Sequence, residues 1–383
     1  MISLSEYWLR LVKFALPKSR RDNTNIDMQV RFSNRGADFY STLKERTENY
    51  FASHNIKSTG DFRLYLKTII FSLVFVSCYV ALVFLSPPTW LAIVLCVVAG
   101  LDMAAIGFNV MHDGAHGSYS NNKKVNRVMA LSLNFLGANA FFWKQKHNVN
   151  HHSYTNIEGM DDDIDANPFL RMHVEQKKRW FHRFQHVYAL MAYSLMFFFW
   201  VFYRDFKKYF TGKISKYTPI RNMTVTEHIL FWASKLVHFA AFIVIPMIFV
   251  GVLETIVGYI IITFILGLVI SVVFQLAHVV EGTDFVTPTN EKSLNVETEW
   301  AIHQINTTVN FATKNPAANW FLGGLNFQVE HHLFPGVSHV HYPKLNQILR
   351  ETCAEFDVKY KEFSSVTGAF VSHLKYLKQT GVA

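Results

Sequence analysis

Thiols and charge are what this chain has least of. Its 383 residues include three cysteines, Cys78, Cys96 and Cys353, too few and too scattered for a disulfide framework, and no Cys-x-x-Cys pair. A cysteine-built metal or redox site is thereby excluded. Charged residues make up 17% of the chain, against roughly 25% in a soluble domain. The zinc-protease string HExxH is also missing, although Glu330 precedes His331. What is present instead is apolar: half the residues are hydrophobic, with 35 Phe, 16 Tyr and 8 Trp.

The basic residues are segregated. Lys and Arg are absent from Thr68 through Asn122, and Lys235 alone occurs between Ile229 and Glu291. The positive-inside rule puts the three basic regions (the first 67 residues, 123–228, and the stretch after 291) on the cytoplasmic side. The opening MISLSEYWLRLVKFALPKSRR is too polar and broken for the apolar core of a signal peptide, so no secretory cleavage is expected.

Residues 68–86 and 89–110 are each long enough to span a membrane, and the turn SPPT separates them. Residues 229–253 and 256–277 form a second pair around Glu254 and Thr255. Two further apolar stretches, 128–142 and 187–203, are short for spanning, and the second is aromatic-rich with basic flanks, as expected of a helix lying in the interface. The expected fold is therefore an all-α integral membrane protein with four transmembrane helices in two hairpins, interfacial helices and a helical cytoplasmic cap. Its divisions are 1–67, 68–110, 111–228, 229–277 and 278–383. Parity favours four spans. If the histidine clusters form one site, an even number of crossings must separate them.

Eighteen histidines are distributed unevenly. His112 and His116 sit in HDGAH, His147, His151 and His152 in HNVNHH, and His331 and His332 in QVEHH, while His278 ends the fourth span. On a helix, residues four apart share a face, so each cluster can aim imidazoles at one point. Lone histidines such as His54, His173, His182, His186 and His373 read as surface or capping residues, and His238 as a helix-packing contact. The clusters differ, because crowded neutral imidazoles leave donors and acceptors to satisfy, which a shared metal does. Eight histidines exceed one tetrahedral zinc centre and imply two metals. The Glu-x-x-His pattern of soluble di-iron bundles is absent at the clusters. Imidazole suits iron, and an imidazole-rich iron pair is the best candidate. Such a centre at the mouth of an apolar bundle suits a lipid-like substrate and oxygen chemistry on an inert C–H bond. It does not suit a sugar or nucleotide, and no nucleic-acid partner is expected. Ligating histidines need acceptors behind them, for which Asp113, Glu158, Asp161, Asp162, Asp163, Asp165 and Glu330 are available.

The three boxes, in this order around two apolar hairpins, resemble the membrane fatty acid desaturase family. NVMHDGAHGSYS, HNVNHHSYTNIEGMDDDID and NWFLGGLNFQVEHHLFPGVSHVHYPKL look particularly like the branch holding linoleoyl-CoA-type and front-end desaturases. The likeness spans roughly residues 65–350. It implies two iron ions held by His112, His116, His147, His151, His152, His278, His331 and His332, with O2 as co-substrate. Gln328 stands where other desaturases have a third-box histidine, as in front-end enzymes. It is implied either to coordinate iron or to hold a water or a ligand by a hydrogen bond. Phe274 occupies the place of an asparagine that, in stearoyl-CoA-type relatives, reaches iron through water, and that role is not carried over.

The haem-binding HPGG of a fused cytochrome b5 domain is absent, so an external electron donor, such as a ferredoxin or free cytochrome b5, is expected. The implied substrate is a fatty acyl-CoA or acyl-lipid, drawn into an apolar tunnel, which receives a cis double bond. Trp143, Phe142, Asn139, Trp320 and Asn326 lie near the boxes as candidate lining residues or plain packing. Asp102, inside the second span, is an intramembrane carboxyl left outside the site. Two rivals remain at this stage. A hydroxylase on the same scaffold would give hydroxylated chains without new double bonds. A non-catalytic membrane metal-binding protein would spread its ligands along a path instead of gathering them at one face.

Overall fold

The computed structural model describes residues 28–34, 37–289 and 292–383, so most of the opening segment lies outside the described residues. Among the described residues five helices, one more than expected, have the length and composition to cross a membrane. They are α2 (Phe62–Phe84), α3 (Thr89–His116), α6 (Trp180–Thr211), α7 (Val225–Val250) and α8 (Val252–His278). This is the pattern of a multi-pass membrane protein. Large apolar side chains that no neighbour covers, such as Leu73 and Val76 on α2, Trp90 on α3, and Leu236 and Ile248 on α7, suit a lipid surround.

Capping and turn chemistry set the ends. Asp61 accepts from the Arg63 amide at 2.9 Å and starts α2 six residues before the expected span, while Pro87 and Pro88 separate α2 from α3. The break between α7 and α8 falls at Gly251, not at Glu254 and Thr255 as expected. Gly251 takes φ +105°, open to glycine, and Glu254 becomes an acid in the first turn of α8. The stretch 187–203, expected to be a short interfacial helix, is the middle of the longer α6. The stretch 128–142 breaks into short turns, among them α4 (Lys123–Ala130).

α8 is the central helix, packed against both α3 and α6. Two glycines permit the close approach. A Cβ at Gly100 of α3 would lie 2.8 Å from the Ile262 carbonyl, and one at Gly267 of α8 would lie 2.6 Å from the Ser194 carbonyl.

Beyond the spans, α5 (Ala140–Lys144) runs on into a π-helical segment, Gln145–His151. The cap adds α1 (Ala37–Ser53), α9 (Trp300–Thr307), α10 (Gln328–Leu333), α11 (Tyr342–Glu355) and α12 (Val366–Val382). Two small parallel pairs stitch distant segments together: β1 (Gln29–Phe32) to β2 (Ser293–Val296), and β3 (Asn310–Phe311) to β4 (Glu362–Phe363). Phe39 and Leu43 of α1, Ala301 and Ile305 of α9, Val329 and Leu333 of α10, and Leu349 and Cys353 of α11 share one apolar core. That core clamps the short helix carrying the third histidine box.

Candidate metal centre

Two π-helical segments aim the first two boxes. In α3 the segment Gly107–Met111 widens the helix just before His112, and Gly117, at φ +79°, stops it just after His116. In the second box the His152 amide bonds to the His147 carbonyl, five residues back. Residues five apart therefore share a face, which places His152 beside His147 with their Nε2 atoms 3.2 Å apart. An α-helical reading of HNVNHH pairs only His147 with His151. His278 is the last residue of α8, and α10 presents Gln328, His331 and His332.

The eight histidines meet in two groups. His112, His116, His147 and His331 have ligand atoms all within 4.8 Å of one another, and so do His151, His278 and His332. His152 lies between the groups, its ring centroid 4.5 Å from those of both His331 and His332. The His112 and His147 Nε2 atoms are 3.3 Å apart. That is close to the spacing of two ligands on one ion, given metal–imidazole bonds of about 2.0–2.1 Å.

The donor set fits a metal. His116 Nε2, His151 Nε2, His152 Nδ1, His331 Nε2 and Gln328 Oε1 are buried without a hydrogen-bond partner, at a cost of about 1–3 kcal/mol each if left so. Several of the opposite ring nitrogens are fixed. His151 Nδ1 donates to Asp161 Oδ2 at 2.9 Å, His332 Nδ1 to Gln304 Oε1 at 2.7 Å and His278 Nδ1 to the Thr307 carbonyl at 3.4 Å. His331 Nδ1 pairs with the Tyr342 hydroxyl at 3.1 Å. A ring held by one nitrogen presents the lone pair of the other, as metal-binding imidazoles do.

Charge supports this arrangement. Burial, then neighbouring imidazoles, holds His147, His152, His331 and His332 well below the ordinary histidine range, so they stay neutral and able to ligate. At His151 burial pulls the same way, but Asp161, then Asp163, overcome it and the net shift is upward. Burial would raise Asp163, yet Lys146 and His151 hold it down to about 2. Asp162 also ends below its usual range despite burial, because Arg204 and Lys208 donate to it at 2.6 and 2.7 Å. The acidic run GMDDDID is thus held by its neighbours. Asp161 and Asp162 are buried, one behind a histidine and the other tying the loop to α6.

The remaining expected residues fall in different places. Asp113 accepts from Ser338 Oγ at 2.6 Å and His339 Nδ1 at 3.1 Å, binding the first box to the chain beyond the third. Glu330 touches no histidine ring; its two oxygens accept from Asn346 and Asn310, both at 2.7 Å. Gln328 sets its amide nitrogen 3.0 Å from His278 Nε2 and 3.3 Å from His332 Nε2, and a flip of the amide would put oxygen there instead. Phe274 covers the second group, its ring 4.9 Å from His151 and 5.0 Å from His278. His238 bonds to the Tyr259 hydroxyl at 2.8 Å. Sequence reasoning missed Gln304, Thr307 and Tyr342, which belong to none of the histidine boxes, Thr307 acting through its backbone carbonyl.

An apolar cavity of about 130 Å³ adjoins the first group. His112, His147 and Trp143 line it beside Met103, Gly107, Phe108, Met111, Leu136 and Phe197, and Lys146, Asp163, Arg204 and Lys208 make its polar end. Of the candidate lining residues only Trp143 takes part. Phe142 packs on Tyr209 and Phe231, Asn139 caps α5, Asn326 bonds to Asn319, and Trp320 lies against Phe71.

Buried imidazoles with free nitrogens, gathered at the ends of apolar helices beside an apolar cavity, define a membrane protein with a histidine site of the kind that holds metal. The fatty acid desaturase family model matches residues 88–364. The chain is 37% identical to the sn-1 linoleoyl-lipid 6-desaturase of Synechocystis sp., over 90% of this chain and 96% of that protein. It is also 37% identical to the protein of the same name from Arthrospira platensis, over 94% and 96%. To the acyl-lipid (8-3)-desaturase of Physcomitrium patens it is 35% identical, over 90% and 72%. The chain belongs to the fatty acid desaturase family and is an enzyme that desaturates fatty acyl chains.

Proposed function

We propose that two iron ions occupy the histidine groups: one on His112, His116, His147 and His331, the other on His151, His278 and His332, with His152 at their junction. Gln328, between His278 and His332, holds a ligand or a water of the second ion. The observation that carries this reading is the set of buried histidine nitrogens left without partners beside the apolar cavity. Bound iron supplies O2-dependent removal of hydrogen from an unactivated C–H bond. In the overall reaction the chain loses two hydrogens with their electrons, a donor supplies two more electrons, the solvent supplies two protons, and O2 leaves as two waters. The protein's own share is positional. Asp161, Gln304, Thr307 and Tyr342 fix the rings, and the cavity holds the reacting carbons still and dry.

The substrate of this reading is an acyl group esterified in a membrane lipid, as in the relatives' names, and the new cis bond lies toward its carboxyl end. Support comes from the short distance between the polar end of the cavity and the histidines, since Lys146 directly precedes His147. An ester held there leaves only a few carbons before the metals. The alternative carrier is CoA. Electrons come from a separate protein, a ferredoxin or cytochrome b5.

The site faces the cytoplasm, and α6 lies along that surface instead of crossing. Near its start Gln185 accepts from the Arg171 amide at 2.8 Å, and near its end Arg204 bonds to Asp162. Were α6 to cross, the polar stretch between Asp162 and Arg171 would have to run through the hydrocarbon with it.

Expression in a host of defined lipids, followed by mapping of new double bonds in each lipid class, tests the reading, with iron content measured in parallel. New bonds near the ester, two irons per chain, and loss of both in His331→Ala are expected. Hydroxylated chains without new double bonds, or a single exchangeable zinc with lipid profiles unchanged in His151→Ala, would overturn it.

A further inference from the structure

A second cavity, of about 540 Å³, lies deeper in the bundle between the α2–α3 and α7–α8 hairpins. Among the described residues Met103 is the one that lines both this cavity and the one at the histidines. The positions of α3 facing the two spaces form one stripe at helical spacing: Cys96 and Ala99 toward the deep cavity, Met103 at the junction, then Gly107 and Met111 toward His112. Small residues flank Met103 on that stripe. Its own side chain is 1% exposed, unbranched and able to swing. A Cβ on Gly107 would meet nothing within 4 Å, so the space beside the stripe is open there.

We propose that Met103 is the floor of the acyl site and that the deep cavity takes the methyl end of chains long enough to pass it, so that this side chain sets the chain-length limit. The inference rests on the reading that the acyl chain occupies the cavity at the histidines. Lengths agree with it. At about 1.5 Å per residue, Met103 lies about 14 Å below His112 along α3, and Cys96 about 24 Å below. With the reaction at about the sixth carbon, the twelve carbons left in an eighteen-carbon chain extend about 15 Å, on the order of ten helix residues. Their methyl end reaches Met103. Four more carbons carry it about 5 Å farther, to the level of Ala99 at the near end of the deep cavity, only if Met103 yields.

The test feeds acyl chains of sixteen, eighteen, twenty and twenty-two carbons to cells making the full-length protein. Desaturated product is read against unsaturated precursor of the same length and against immunoblotted protein. Met103→Ala is expected to raise the ratio of twenty-two- to eighteen-carbon product by about tenfold, the lower range for methylene-sized changes in an apolar pocket. Met103→Phe lowers that ratio, and Gly258→Leu, which fills the deep cavity, cancels the gain when combined with Met103→Ala. Met103→Val serves the same reading should Met103→Ala fail to accumulate. An unchanged ratio in Met103→Ala, while Gly107→Phe abolishes desaturation at every length, overturns the floor and leaves the acyl site standing. Should Gly107→Phe change nothing at any length, the acyl site itself is wrong and the inference falls with it.

Discussion

Replacing Asp161 by Asn separates the charge behind His151 from its shape. The carboxylate is 1% exposed and takes three donors: His151 Nδ1–H at 2.9 Å and the Asn156 amide at 3.0 Å on Oδ2, and the Asp163 amide at 2.9 Å on Oδ1. Asparagine has the same outline but one acceptor. Turned to serve His151 and Asn156, it leaves the Asp163 amide facing an NH2 group, a buried donor lost at about 1–3 kcal/mol. The two bonds it keeps pass from charge-assisted to neutral and lose about half their strength. His151 then keeps its orientation but loses the anion that makes its free nitrogen a strong ligand, and comparable changes behind metal-binding histidines cost roughly 10–100-fold in affinity. Asp161→Asn is therefore expected to fold and to release iron at 10–100-fold lower chelator concentration. The assay is a chelator titration of purified protein followed by iron content, with desaturated product measured in cells. A release midpoint within twofold of the unaltered protein would refute the role given to Asp161.

Two other outcomes follow from the packing around the site. Burial raises the Glu330 carboxyl to about 7 from 4.5, against the opposing hydrogen bonds of Asn346 and Asn310. A carboxyl raised on folding contributes stability that is full below about 4.5 and lost as pH rises toward 7. Glu330→Gln should therefore weaken the pH dependence of the thermal unfolding midpoint across that window, and a curve parallel to that of the unaltered protein would count against a buried, protonated Glu330. Gly267→Ala places a Cβ 2.6 Å from the Ser194 carbonyl and forces α6 from α8, an overpacking expected to cost about 1–3 kcal/mol. It should lower the unfolding midpoint in detergent, and an unchanged midpoint would mean that the two helices separate without strain.

The parts of this fold legible in the sequence are those written as runs or repeats. Stretches of about twenty apolar residues announce α2, α3, α7 and α8, because the hydrocarbon leaves no other use for them. The eight histidines stand out because they are clustered. The length of α6 was hidden, since polar and basic residues interrupt its ends, His182 and Arg183 near the start and Asp205, Lys207 and Lys208 near the end, where Lys208 bonds to Asp162. Gln304, Thr307 and Tyr342 were hidden for another reason. Each meets its histidine across the fold, and nothing nearby in the chain marks it. Glu330 illustrates the reverse error. It adjoins His331 in the sequence, but on α10 it points away, toward Asn310 and Asn346.

The π-helical register of the second box makes the site sensitive to length as well as to side chain. Substituting Asn148 or Val149, between the histidines, leaves the turn its extra residue. Deleting either one removes the extra residue and leaves His152 four residues after His147, still on its face in an ordinary turn, whereas adding one swings His151 and His152 by about 100°, one residue's rotation in an α-helix, so both leave their partners together. A codon gained there would disable both halves of the centre with every histidine still encoded.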